Sequence, residues 1–173
     1  MAKNHEKEDG KEEANQKSGG PVVRKRFAVF IDYLNLEKNI KTPADIRLDP
    51  LLDPLIKEGR INWIYVYIPE SAIPAPINIL INRYQVLIIL CSQEMGGGYL
   101  KDKDNVDFQM DKHIRSIVEH TDVTDIVIFS GDADFFPVAS WAHQQGITVH
   151  VKSIRAALSR VFEEDGRFKI TKI

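Results

Sequence analysis

Residues 126–137 read Ile126-Val127-Ile128-Phe129-Ser130-Gly131-Asp132-Ala133-Asp134-Phe135-Phe136-Pro137. The first four are a continuous apolar run, the pattern of a strand buried on both faces. Small and acidic residues follow at once. Phe136, Ala139 and Ala142 then recur at helical spacing until Gly146 ends the helix. Working outward, the same apolar run appears at residues 27–31, 63–68, 86–91 and 147–151. Helical stretches lie between them. Val106, Met110, Ile114, Ile117 and Val118 mark one, residues 49–57 form a short one, and residues 155–162 read as another. Residues 168–173 read as a short edge strand. The segment 72–84 is ambiguous because it carries Pro74 and Pro76. Strands alternating with helices predict an α/β fold, doubly wound, with a mainly parallel sheet of five or six strands and helices on both faces.

Composition sets the outer bounds. The chain has 173 residues, 43 % hydrophobic and 28 % charged, which suits one globular domain with a real core. Lys plus Arg is 23 and Asp plus Glu is 25, for a net charge of −2, which argues against a strongly basic protein that coats DNA nonspecifically. Cys91 is the one cysteine, so no intramolecular disulfide and no zinc ribbon can form. The apolar runs are far shorter than the ~20 residues that cross a bilayer, and no apolar leader opens the chain. A cytoplasmic protein that avoids membranes is expected. Residues 1–20 hold no large apolar side chain after Met1 and are expected to be a disordered charged tail. Residues 21–173 are expected to form the domain.

In a doubly wound sheet, ligands sit beyond the carboxyl ends of the strands, where the strand order reverses. The first strand ends in Ile31-Asp32-Tyr33-Leu34-Asn35 and the fourth in Ser130-Gly131-Asp132-Ala133-Asp134. Asp107 and Asp111 are i and i+4, so they share a helix face and flank its apolar stripe. Asp107 is expected in about the first helical turn. Five carboxylates thus have a route to one place: Asp32, Asp107, Asp111, Asp132 and Asp134. Two like charges ~4 Å apart repel by about 4 kcal/mol at an effective dielectric near 20, so several together need a cation. Oxygen donors without a His/Cys set favour Mg²⁺ or Mn²⁺ over zinc. Blander readings stand beside this one. Asp134 can be a helix N-cap ahead of Pro137, Asn35 can cap a helix starting at Leu36, and Asp107 with Asp111 can be a solvated face.

The three acidic elements carry a resemblance. The stretch from Phe30 to Leu36 resembles the "hydrophobic-Asp-x-x-Asn" opening of NYN domains, in the LabA-like branch of the PIN-like nuclease superfamily. Val106-Asp107 with Asp111 is similar to the second motif of that family, and Ser130 to Phe135 followed by Pro137 to the third. The resemblance covers residues 26–170. It implies a carboxylate-lined site binding divalent metal and cleavage of RNA. By position, Asp32, Asp107, Asp132 and Asp134 are the implied catalytic and metal-binding carboxylates. Asp111 is implied to bind metal directly or through water. Asn35 and Ser130 are implied to hydrogen-bond the carboxylates or substrate phosphate. Lys103 stands nearest to the lysine that precedes the second motif in the family. Tyr33 replaces a glycine common in the family, and its ring is expected either to narrow the mouth or to stack on a base.

The expected reaction is phosphodiester hydrolysis by a metal-activated water, with no histidine as base. His113, His120, His143 and His150 are read as structural, and Trp63 and Trp141 as core. Lys101, Lys103, Lys112 and Arg115 lie near the second motif, where phosphate contacts are expected, although Lys112 and Arg115 also fit a plain exposed face. The cations Arg24, Lys25 and Arg26 before the first strand, the glycines of loop 96–98, and Tyr99 are weaker candidates of the same kind. The expected partner is RNA, single-stranded; a homodimer would lengthen the short binding track of one domain. The main rival is a noncatalytic RNA- or protein-binding regulator on the same fold. A phospho-receiver would need an acidic pair after the first strand, and a haloacid-type phosphatase would need Asp-x-Asp there. Tyr33-Leu34 supplies neither.

Overall fold

A computed structural model of the chain describes residues 24–37, 49–70, 84–91 and 102–173. The tail 1–20, the stretch 72–83 and the loop 96–101 with Tyr99 and Lys101 lie outside the described residues. In chain order the elements are β1 (Lys25–Asp32), α1 (Tyr33–Glu37), α2 (Asp49–Glu58), β2 (Gly59–Pro69) and β3 (Leu87–Cys91). There follow α3 (Asp102–His120), β4 (Asp125–Phe129), a 3-10 turn (Ala133–Phe135), α4 (Phe136–Gln144) and β5 (Thr148–Ser153). A second 3-10 turn (Arg155–Ala157), α5 (Arg160–Glu164) and β6 (Lys169–Lys172) complete the list.

The six strands are all parallel, in the order β3-β2-β1-β4-β5-β6. The expected α/β class and the upper strand count both hold. The order runs outward in opposite directions from β1 and β4, so their carboxyl ends form the switch point. Alternation along the strands divides the core into two layers. Ala28, Phe30, Ile126, Ile128, Val149 and Val151 face one side and pack with Val106, Met110 and Ile114 of α3 and Val138, Ala139 and Ala142 of α4. Phe27, Val29, Ile31, Val127 and Phe129 face the other side and pack with Leu52 and Leu55 of α2. Each fully buried side chain of this size contributes about 1.5–3 kcal/mol relative to exposure. The two-sided burial is why residues 27–31 of β1 and 126–129 of β4 form unbroken apolar runs rather than alternating ones. Trp63 and Trp141 pack partly buried against the first layer.

Gly146 stops α4 at a φ of 84°, a conformation that costs other residues a steric penalty. The helix expected over residues 155–162 is not continuous. Leu158 and Ser159 are extended and separate the 3-10 turn from α5. The cause is tertiary: the Ser159 N–H leaves the helical pattern to donate to the Gly131 carbonyl at 2.8 Å.

Candidate active site

Ile31 of β1 pairs beside Phe129 of β4, so Asp32 and Ser130 follow them into the switch point. Parity fixes their direction. Asp32 comes two residues after Phe30, and Ser130 two after Ile128, so both point to the layer that α3 covers. The Ser130 hydroxyl donates to Asp32 Oδ2 at 3.2 Å, and the Asn35 N–H donates to Asp32 Oδ1 at 3.2 Å. Asp32 is only 5 % exposed. A carboxylate that deep is tolerated because donors meet it. The Asn35 contact also corrects one expectation. Asn35 does not cap a helix; it lies inside α1, and Asp32 accepts its N–H as an N-cap does.

The contacts continue around the third motif. Ser130 Oγ accepts the Asp132 N–H at 3.3 Å. Asp132 Oδ1 accepts the Asp134 N–H at 3.2 Å, so Asp132, not Asp134, caps the 3-10 turn. Phe135, in turn, holds the cap position of α4 without a side-chain bond, with Pro137 in the first turn. Asp134 is exposed beside the half-buried Asp132. The Gly131 N–H donates to Asn35 Oδ1 at 3.4 Å. Gly131 itself has no room for a side chain: a Cβ would stand 2.3 Å from the Ala157 carbonyl oxygen and 2.3 Å from Ser153 Oγ. Three strand ends therefore interlock at Gly131. The sequence reading missed Ser153, Ala157 and Ser159 as supports, although Ser153 closes a strand at the same sheet edge.

The remaining candidates divide. α3 passes against β1 and against the 3-10 turn, which brings the helix carrying Asp107 and Asp111 to this edge. It starts at Asp102, so Asp107 is in the second turn rather than the first. Asp107 is half-buried. Asp111 is held by Arg115, whose Nε donates to Oδ1 at 2.7 Å and whose Nη2 reaches Oδ2 at 3.3 Å. The Arg115 guanidinium in turn lies 4.8 Å from the Trp141 ring centre. Lys103 falls in the first turn of α3, and its side chain lies outside the described atoms.

Tyr33 departs from expectation. It is 2 % exposed and packs in the α2 layer, so its ring presents no face for a base. Lys25 and Arg26 begin β1, at the opposite end of the sheet from these acids, and pair with Glu58 and Asp122. The histidines have structural contacts. His113 meets the Tyr67 hydroxyl at 3.0 Å, His120 Nδ1 lies 2.9 Å from the Ser116 carbonyl, His143 packs edge-on to Phe168, and His150 Nε2 lies 2.8 Å from Asp125 Oδ1. Cys91 closes β3 at the same edge. Burial pushes its thiol up to about 11, with a smaller push from the Asp32 charge.

The donor set matches a hard divalent cation in kind, because the side chains gathered here are carboxylates held by hydroxyl and amide donors. Among the described residues, no three His, Cys, Asp or Glu side chains are grouped to enclose an ion.

A doubly wound parallel sheet with carboxylates at its switch point agrees with a nuclease-like fold. The sequence matches the model of the NYN domain over residues 26–166, and the chain belongs to that family, within the PIN-like nuclease superfamily. In structure it is similar to a protein of unknown function from Vibrio parahaemolyticus, with a TM-score of 0.67 and 16 % identity over 86 % of this chain and 94 % of the other. It is also similar to the C-terminal domain of a Pyrococcus furiosus hydrogenase, in two structures with TM-scores of 0.54 and 0.52, at 9 % and 10 % identity. Those matches cover 73 % of this chain and 90 % and 89 % of the others. At such identities the likeness concerns the fold. No curated protein matches the sequence significantly. Among the described residues, no helix is long and apolar enough to cross a membrane.

Proposed function

We propose that this NYN domain is a divalent-metal-dependent ribonuclease of LabA-like type that hydrolyses phosphodiester bonds of single-stranded RNA. The observation that carries the reading is the bonded web of Asp32, Ser130 and Asp132 at the switch point, with the Asp107 helix covering the same layer. Asp32, Asp107, Asp132 and Asp134 are the carboxylates assigned to Mg²⁺ or Mn²⁺. When bound, such an ion neutralises phosphate charge and makes water a better nucleophile. The chain does the positioning. Ser130 and the Asn35 N–H hold Asp32 in one orientation, and the Asp134 N–H holds Asp132. Asn35, fixed by Gly131, and Lys103 are assigned to substrate phosphate. Asp111, gripped by Arg115, is assigned to positioning α3 rather than to direct ligation.

The test is a panel of single-stranded RNA and DNA with Mg²⁺, Mn²⁺ or chelator, comparing the wild type with Asp132→Asn and Asp107→Asn. Metal-dependent RNA cutting that both variants lose is expected. Cutting that survives chelator, or that both variants retain, overturns the reading. Tight RNA binding with no cutting under any metal assigns the fold to a noncatalytic regulator instead.

A further inference from the structure

We propose that Phe108 and Lys112, on the helix that carries Asp107 and Asp111, form a platform for one nucleotide of a single-stranded RNA; this rests on the ribonuclease reading above. Phe108 is 58 % exposed, an unusual state for a ring of that size. Exposure alone means little, because isolated apolar residues are common on surfaces. Two further observations give it direction. Lys112, one turn along, holds its ammonium 5.1 Å from the Phe108 ring centre, so an aromatic face and a cation come as one unit. The unit also lies on the helix that brings Asp107 and Asp111 to the switch-point edge. At 100° per residue, with Met110 pointing into the core, Asp107, Asp111, Arg115 and Phe108 follow one another from the flank of α3 to its outward side.

The chemistry selects the occupant. A nucleotide carries a flat π-face and an anionic phosphate, and this pair offers a partner to each. A protein partner needs a contiguous apolar area. Phe108 has polar neighbours instead, with Asn105, Gln109 and Lys112 around it. A duplex keeps its base faces inside the stack, so the platform fits a strand whose bases are free. With Tyr33 buried, Phe108 takes the stacking role once expected of that tyrosine.

The experiment uses the full chain carrying Asp132→Asn, so that RNA stays intact. Binding of fluorescent oligouridylate, oligoadenylate and a blunt RNA duplex is followed by anisotropy across a salt series. Phe108→Ala is expected to weaken both single strands about tenfold, and Phe108→Trp to restore them. Duplex binding and melting temperature stay at the parent values. Lys112→Gln is expected to lower the slope of log K against log salt by about 0.7, the share of one phosphate contact on a single strand. A parent that binds single strands while Phe108→Ala binds them equally well overturns the platform and leaves the ribonuclease reading standing. Equal losses on single strands and duplex overturn it too, as does a dimer that Phe108→Ala converts to monomer, which marks a self-association face. A wild type that neither binds nor cuts RNA removes both.

Discussion

The Ser130 hydroxyl donates to the Asp32 carboxylate at 3.2 Å, joining residues 98 positions apart at the ends of adjacent parallel strands. That one bond ties the fold to the site. It forms only when β1 and β4 lie in register, and it orients the Asp32 carboxylate assigned above to the ion.

Ser130→Ala removes the donor from a buried carboxylate and takes one acceptor from the Asp132 N–H. The expected cost is about 1–3 kcal/mol of stability. Cleavage measured well below the melting midpoint is expected to fall further than stability explains. Thermal unfolding and RNA cleavage check this, and a variant equal to wild type in both would show that the bond does not hold Asp32.

Gly131→Ala places a methyl group 2.3 Å from the Ala157 carbonyl oxygen, which is backbone and cannot rotate away. Segment 155–159 has to shift, at about 1–3 kcal/mol. Gly166→Ala meets nothing within 4 Å and serves as the control, expected within about 0.5 kcal/mol of wild type. Chemical denaturation of the two variants side by side decides it. Equal stabilities would rule out the interlock at Gly131.

His150 predicts a pH dependence. Burial holds its imidazole below the ordinary value of 6.5, although Asp125 pulls the other way; Lys169 and Lys25 add to the lowering. The unfolded chain therefore binds the proton more readily than the folded one. Stability is full above about pH 6.5 and declines as pH falls through 6.5 toward the lower folded value, by up to about 1.4 kcal/mol per pH unit. His150→Gln is expected to flatten the profile in that window. Melting curves from pH 8 to pH 5 test it, and parallel profiles would exclude His150 as the source.

Asp111 and Arg115 are expected to behave as one unit. The pair is about one-third exposed, so breaking it from either side costs only about 0.2–1 kcal/mol. Asp111→Asn and Arg115→Gln should lower the melting temperature alike and sum to less than additive in the double variant. The Mg²⁺ concentration for half-maximal cleavage should stay near the wild-type value in both. A large rise in Asp111→Asn alone would return Asp111 to the ion.

Much of this was legible in the sequence. The strands announced themselves because a sheet covered on both faces needs unbroken apolar runs, as in β1 and β4. The acids at the ends of those runs followed from the rule for parallel sheets. One misreading comes from a long-range contact that local pattern cannot carry. Ala156, Ala157 and Val161 suggest a helix, but Ser159 is pulled out of it by Gly131. Asp134 looked like the cap because it precedes Phe135 and Pro137, yet Asp132 is the extended residue that can accept. Tyr33 was decidable: it follows Phe27, Val29 and Ile31 at odd positions and continues their face into the core. Phe108 was not legible, because the apolar periodicity of α3 marks its inward stripe and Phe108 lies off it.

The central place of β1 also orders events during synthesis. β1 can pair with β2 as soon as residue 69 has emerged, but its other edge waits for β4, which begins at residue 125. Until then the nascent chain holds half a sheet with an open seam along its most apolar strand, a hazard for sticking to other chains. The arrival of β4 seals that seam and brings Ser130 to Asp32 in the same event, so a half-made molecule lacks the junction of the two strand ends.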